Sequence, residues 1–85
     1  MSHDAEFNPY VKLVRMANQI GIFFQSKPHE EGVAGVADHI NKFWEPRMRR
    51  HFFEVVDAGG EGLLPIVLEA APTIRRPAPV EARAS

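Results

Sequence analysis

The chain has 85 residues, with ten Lys/Arg against eleven Asp/Glu, a net charge of −1 and no cysteine. This length allows one domain at most, the balanced charge gives no overall field favouring nucleic acid, and the missing thiols exclude disulfides and thiolate metal sites, as suits a reducing compartment. The opening MSHDAEFNPY is polar and acidic, unlike a secretory leader, and no apolar run nears the ~20 residues that span a bilayer. The expectation is a soluble, cytoplasmic, all-α protein: a small bundle of three to four short helices.

Residues 1–7 show no periodicity and read as a flexible start. Asn8 and Pro9 pair a helix N-cap with the favoured first-turn proline. From there to about Gln25, at ~100° per residue, Leu13, Met16, Ala17, Ile20, Phe23 and Phe24 share one face, widened by Tyr10 and Val14. Lys12, Arg15, Asn18 and Gln19 lie opposite, and Val11 and Ile22 sit among these polar residues. SKPHEEG breaks the pattern, with Ser26 or Lys27-Pro28 opening a second helix. Its apolar arc of ~120° holds Val33, Val36, Ala37, Ile40, Phe43 and Trp44. Gly32 and Gly35 lower its intrinsic propensity, so tertiary packing must hold it. It ends at Glu45, because a residue before proline is pushed out of helical geometry.

Pro46 serves as the first-turn residue of a third helix running to Ala58, with Met48, Phe52, Val55 and Val56 as its core face. Gly59-Gly60 ends it, glycine being suited to the left-handed cap. A last short helix, roughly Leu63 to Ala71, puts Leu64, Val67, Leu68 and Ala71 on one side before Pro72. The remaining PTIRRPAPVEARAS has almost nothing to bury. The expected organisation is thus a flexible N-terminus over 1–7, a helical domain over 8–71 and a disordered tail over 72–85. The expected core is Leu13, Met16, Ile20, Phe24, Val36, Ile40, Phe43, Trp44 and Phe52.

Catalytic constellations are hard to find. AGGEG lacks the lysine and the preceding strand of a phosphate loop. His3, His29, His39 and His51 form no pair at ligand spacing on one helix face, and His39 reads as a boundary histidine rather than a metal ligand. Glu30-Glu31 opens a helix, where the dipole favours negative charge. The chain is not expected to be an enzyme on its own, nor to hold a cofactor or metal.

The stretch HINKFWEPRMRRHFF, residues 39–53, concentrates aromatic and basic side chains. It reads as a solvated rim, a nucleic-acid surface or a protein interface. Acids at Glu54 and Asp57 dilute the basic patch and disfavour nucleic acid, whereas arginine and aromatics are enriched at protein interfaces. Phe53 falls away from the Met48/Phe52/Val55/Val56 face, as Val11 and Ile22 fall away from theirs. Apolar residues on the wrong side of two helices point to burial against another protein. Arg47, Arg49, Arg50, Phe53, Val11 and Ile22 are the candidate partner-binding residues.

LVRMANQIGIFF, VADHINKFWEPRMRR and GLLPIVLEA together resemble the delta subunits of cytoplasmic NAD-dependent molybdenum formate dehydrogenases, over about Val11 to Ala71. Val14-Arg15-Met16-Ala17-Asn18 matches the first motif, with Arg15 where lysine is as often expected. His39, Phe43, Trp44, Pro46, Arg47, Met48 and Arg49 match the second. The resemblance implies a cofactor-free accessory subunit that binds and stabilises the catalytic alpha subunit. In such a complex formate is oxidised to carbon dioxide at a bis-molybdopterin guanine dinucleotide molybdenum centre, and electrons pass through iron–sulfur clusters to FMN and NAD in the beta and gamma subunits. A dissociable chaperone for molybdenum cofactor insertion, a small regulatory module and a homodimer are the rival readings; no nucleic acid or membrane partner is expected.

Overall fold

The computed structural model describes residues 9–77. Within them α1 (Pro9–Phe24), α2 (His29–Phe43), α3 (Pro46–Asp57) and α4 (Pro65–Ala70) lead into a 3₁₀ turn (Ala71–Thr73). No strand occurs among the described residues, and the fold is the expected all-α bundle. The Asn8 cap, residues 1–7 and residues 78–85 lie outside the described residues.

Proline sets two of the boundaries. Pro46 and Pro65 occupy first-turn positions of α3 and α4, where their missing N–H would have no helical partner in any case. The end of α3 is a Schellman cap: Gly60 N–H donates to Val55 O at 2.8 Å and Gly59 N–H to Val56 O at 3.0 Å, with both glycines at positive φ.

Helix α1 packs against all three of the others, and α4 sits against both α1 and α2. Val36, Ile40, Phe52 and Val67 are fully buried, one or two from each of α2, α3 and α4. The Phe52 ring meets Trp44 edge-on at 6.1 Å and Phe53 at 5.3 Å. Leu13 is buried with them, and Met16, Ile20 and Phe24 are half-buried against this core. Gly32 and Gly35, poor helix formers, are where α2 approaches the end of α1. A β-carbon at residue 32 would lie 2.6 Å from the Phe24 carbonyl oxygen, and one at residue 35 would lie 2.4 Å from the Phe24 ring. The close approach outweighs the propensity penalty of roughly 1 kcal/mol per glycine.

Five expectations are corrected. Phe43 is not in the core but 69% exposed. Helix α2 ends at that residue, Trp44 takes extended backbone (φ −89°, ψ 131°) and turns inward, and Phe43 is left at the helix end with its ring 4.8 Å from that of His39. Phe23 likewise leaves the apolar face of α1 and is 64% exposed.

Helix α3 turns a different face inward from the expected one, about 70° round its axis: Arg49, Phe52 and Phe53 are buried while Met48, Val55 and Val56 are half-buried. Residues 72–77, assigned to the tail, continue along the body beside α3. Ile74 is buried, and with Ala71, Pro72 and Arg76 it shares a cleft with Phe53 and Val56. The fourth helix is also shorter than expected, with Ile66, Val67 and Ala70 inward and Leu64 half-buried just before it.

Candidate functional site

Asn18, expected on the polar side of α1, and Asn41 of α2 hold the loops. Asn18 on α1 donates from Nδ2 to Gly62 O at 2.8 Å and accepts the Leu64 N–H at Oδ1 at 2.9 Å. Asn41 on α2 donates to Thr73 O at 3.2 Å and accepts the Arg75 N–H at 2.8 Å. An amide side chain offers a donor and an acceptor at one end, so each asparagine can clamp a strand-like turn by both its polar atoms. Their placement on the polar side of amphipathic helices gave no sign of this work.

Arg49 has a similar role. Its guanidinium is buried and donates from Nε to Trp44 O at 3.3 Å and from a terminal nitrogen to Arg75 O at 2.6 Å. The expected partner-binding Arg49 is therefore corrected to an internal clamp between the α2–α3 junction and the C-terminal segment. Phe53, the expected exposed anchor, is also corrected: it is 5% exposed, roofed by the Arg76 guanidinium at 4.2 Å from the ring centroid. Arg76 in turn forks onto Asp57 at 2.7 and 3.1 Å. That hydrogen bond holds the Asp57 carboxyl below its ordinary value, and raises Arg76.

Of the other candidates, Arg47 is exposed and Arg50 half-buried, with Arg50 Nε buried and without a hydrogen-bond partner. Val11 and Ile22 are 43% and 60% exposed, on the side of α1 away from the core. Near the start of α1, Tyr10 stacks against His51 at 5.3 Å and hydrogen-bonds Glu54, which pushes the Tyr10 hydroxyl up.

A further concavity lies between α1 and α2. Met16, Gln19, Ile20, Phe23 and Phe24 of α1 and His39 and Trp44 of α2 and its end line an open groove of about 560 Å³. Its walls are largely apolar and aromatic. Phe23 and Phe24 meet edge-to-face at 4.9 Å, and exposed Phe43 stands beside His39 at the rim. Phe23 and Phe24 stand ~100° apart around α1, and only Phe24 reaches the core, half-buried, while Phe23 is exposed. Among the described residues no group of three His, Cys, Asp or Glu converges as metal ligands, and no helix is long and apolar enough to cross a membrane.

Short helices around one core, loops clamped by asparagine and arginine, and surplus aromatic surface along two helices define a small all-α protein whose exposed chemistry is apolar contact. A family model for the NADH-dependent formate dehydrogenase delta subunit, FdsD, matches residues 12–71. The chain belongs to this delta-subunit family, and so to a complex with other subunits. No curated protein and no solved structure matches it.

Proposed function

We propose that the chain is a non-catalytic accessory subunit of an NAD-dependent molybdenum formate dehydrogenase, binding and stabilising the catalytic alpha subunit. The observation that carries the reading is the exposed aromatic side chain at Phe23 and Phe43 on a family member with a small core. A chain of this size draws only ~3–5 kcal/mol from its own core, and surface of this kind is characteristic of burial against a partner.

Iron–sulfur ligation needs thiolates, and the sequence has none, so these residues do not fit that group. The molybdenum centre, the clusters, FMN and NAD are assigned to the alpha, beta and gamma subunits, with the reaction carried out there. The bundle's contribution is cohesive: a folded scaffold that covers apolar surface of its partner.

Co-expression of the complex with a tag on this chain tests the reading. Recovery of the alpha subunit in fixed proportion from active enzyme is the expected result. Active enzyme lacking this chain, with the chain found only on cofactor-free alpha subunit, would instead identify a chaperone that acts and leaves.

A further inference from the structure

The accessory reading does not say which surface docks, or onto what. We infer that the groove between α1 and α2 is the docking site, and that its occupant is an amphipathic helix of the larger subunit with an apolar seam and acidic flanks. This inference rests on the accessory reading and adds to it the face and the chemistry of the partner segment.

The shape comes first. The groove walls run along α1 from Met16 to Phe23, which at 1.5 Å per residue is about 10 Å, or two helical turns. A groove lined by side chains of two helices, about 560 Å³ and open to solvent, admits the apolar stripe of a third helix, read as anchors at i, i+3/i+4 and i+7. Exposed Phe23 lines it, and exposed Phe43 stands beside it with its ring against that of His39, a lining residue. Aromatic side chains held at a groove rim are the residue type on which binding energy concentrates.

Charge selects the occupant. Lys12 and Arg15 lie one turn before Met16 and Gln19 on the same stripes of α1, both exposed and in no ion pair among the described residues. Beyond Trp44, Arg47 is exposed and likewise unpaired. On the α2 side Asp38 is taken up by Lys42 at 3.2 Å. Glu45, next to Trp44, is an exposed acid at that end. The groove's flank on α1 is therefore basic although the whole chain carries −1, and acidic residues bordering the partner's apolar seam complement it. Val11 and Ile22, also exposed, stand eleven residues apart on α1, about 16 Å along its axis, and neither lines this groove.

The test uses the complex co-expressed with a tag on this chain, comparing wild type with Phe23→Glu/Phe43→Glu, Lys12→Glu/Arg15→Glu and Val11→Glu/Ile22→Glu. Recovery of the alpha subunit is expected to fall about 10-fold or more for the phenylalanine pair, and severalfold for the charge reversal, with its salt dependence flattened. The Val11/Ile22 pair is expected to change little, and circular dichroism of each full chain to match wild type. If the phenylalanine pair fails to fold, Gln19→Trp, which fills the groove from an exposed position, is expected to give the same loss. Undiminished recovery with the groove variants overturns the inference while leaving the accessory reading intact. A wild-type chain that captures no alpha subunit sinks the accessory reading itself. Sedimentation showing a wild-type dimer that the phenylalanine pair converts to monomer would make a second copy the occupant, and also overturns the inference.

Discussion

Arg76 lies over Phe53, its guanidinium carbon 4.2 Å from the ring centroid, while its two terminal nitrogens grip the Asp57 carboxylate at 2.7 and 3.1 Å. One side chain from beyond the last helix thereby closes an aromatic position on α3. A ring that its own helix would leave in water becomes part of the core, and the surplus apolar surface of the molecule is moved to the groove between α1 and α2.

The Asp57–Arg76 fork gives a pH dependence of definite sign. Asp57 titrates below its ordinary value because Arg76 hydrogen-bonds its ionised form. A carboxyl lowered in the folded state contributes stability that is complete above its unfolded pKa, near 3.8, and is lost as pH falls through the lower folded value. The melting temperature of wild type should exceed that of Asp57→Asn at pH 7, and the difference should close below about pH 4. Because the pair is exposed, salt should shrink it as well. Equal melting temperatures at pH 7 in dilute buffer would contradict the role given to the fork.

Arg49 is the internal counterpart. Its two hydrogen bonds to the Trp44 and Arg75 carbonyls are charge-assisted and buried. Arg49→Ala should lower stability by about 2–3 kcal/mol in urea unfolding, and should make the chain after Ala71 more open to limited proteolysis. Arg49→Lys should recover little, since an ammonium cannot reproduce the guanidinium fork.

Burial separates two neighbouring aromatics. Phe52→Ala removes a ring that is fully buried and should cost about 3–5 kcal/mol, comparable with the whole stability expected of so small a chain; loss of cooperative unfolding is the expected result. Trp44→Ala should behave similarly. Phe43→Ala, at an exposed ring, should change stability by less than about 0.5 kcal/mol. A Phe43 variant that unfolds would show that the ring is packed after all.

The two glycines of α2 should respond differently to alanine. At Gly32 the new methyl meets the Phe24 carbonyl oxygen at 2.6 Å, a backbone atom that cannot move without displacing α1. Gly32→Ala should therefore destabilise by about 1–3 kcal/mol, despite gaining roughly 1 kcal/mol of helix propensity. At Gly35 the obstacle is the Phe24 ring, which can swing toward the groove, so Gly35→Ala should cost less. Thermal melts of the two variants decide the order.

Periodicity and punctuation carried most of the fold. Pro46, Pro65 and Gly59-Gly60 stand where the elements start and stop, and a 3.6-residue pattern recovers Leu13, Val36, Ile40 and Phe52 as buried. What it could not convey was long-range. Whether Phe53 faces water depends on where residues 72–77 run, and Ile74 and Arg76 carry no local signal that they fold back. Asn18 and Asn41 occupy polar faces in the pattern, yet their work depends on loops 44 and 32 residues away. The candidate interface was less legible for the same reason. Val11 and Ile22 are exposed as the pattern implied, but the groove needs two helices placed side by side before Phe23 lines it and Phe43 stands beside it.

The central claim is that a larger subunit conceals apolar surface this chain leaves uncovered. Hydroxyl-radical footprinting of the isolated chain and of the assembled active enzyme, read at Phe23, Phe43, Val11 and Ile22, tests it directly. The account predicts that oxidation of Phe23 and Phe43 falls severalfold on assembly, with Phe53 protected in both states. Equal oxidation of all four exposed residues in free chain and assembled enzyme would contradict it.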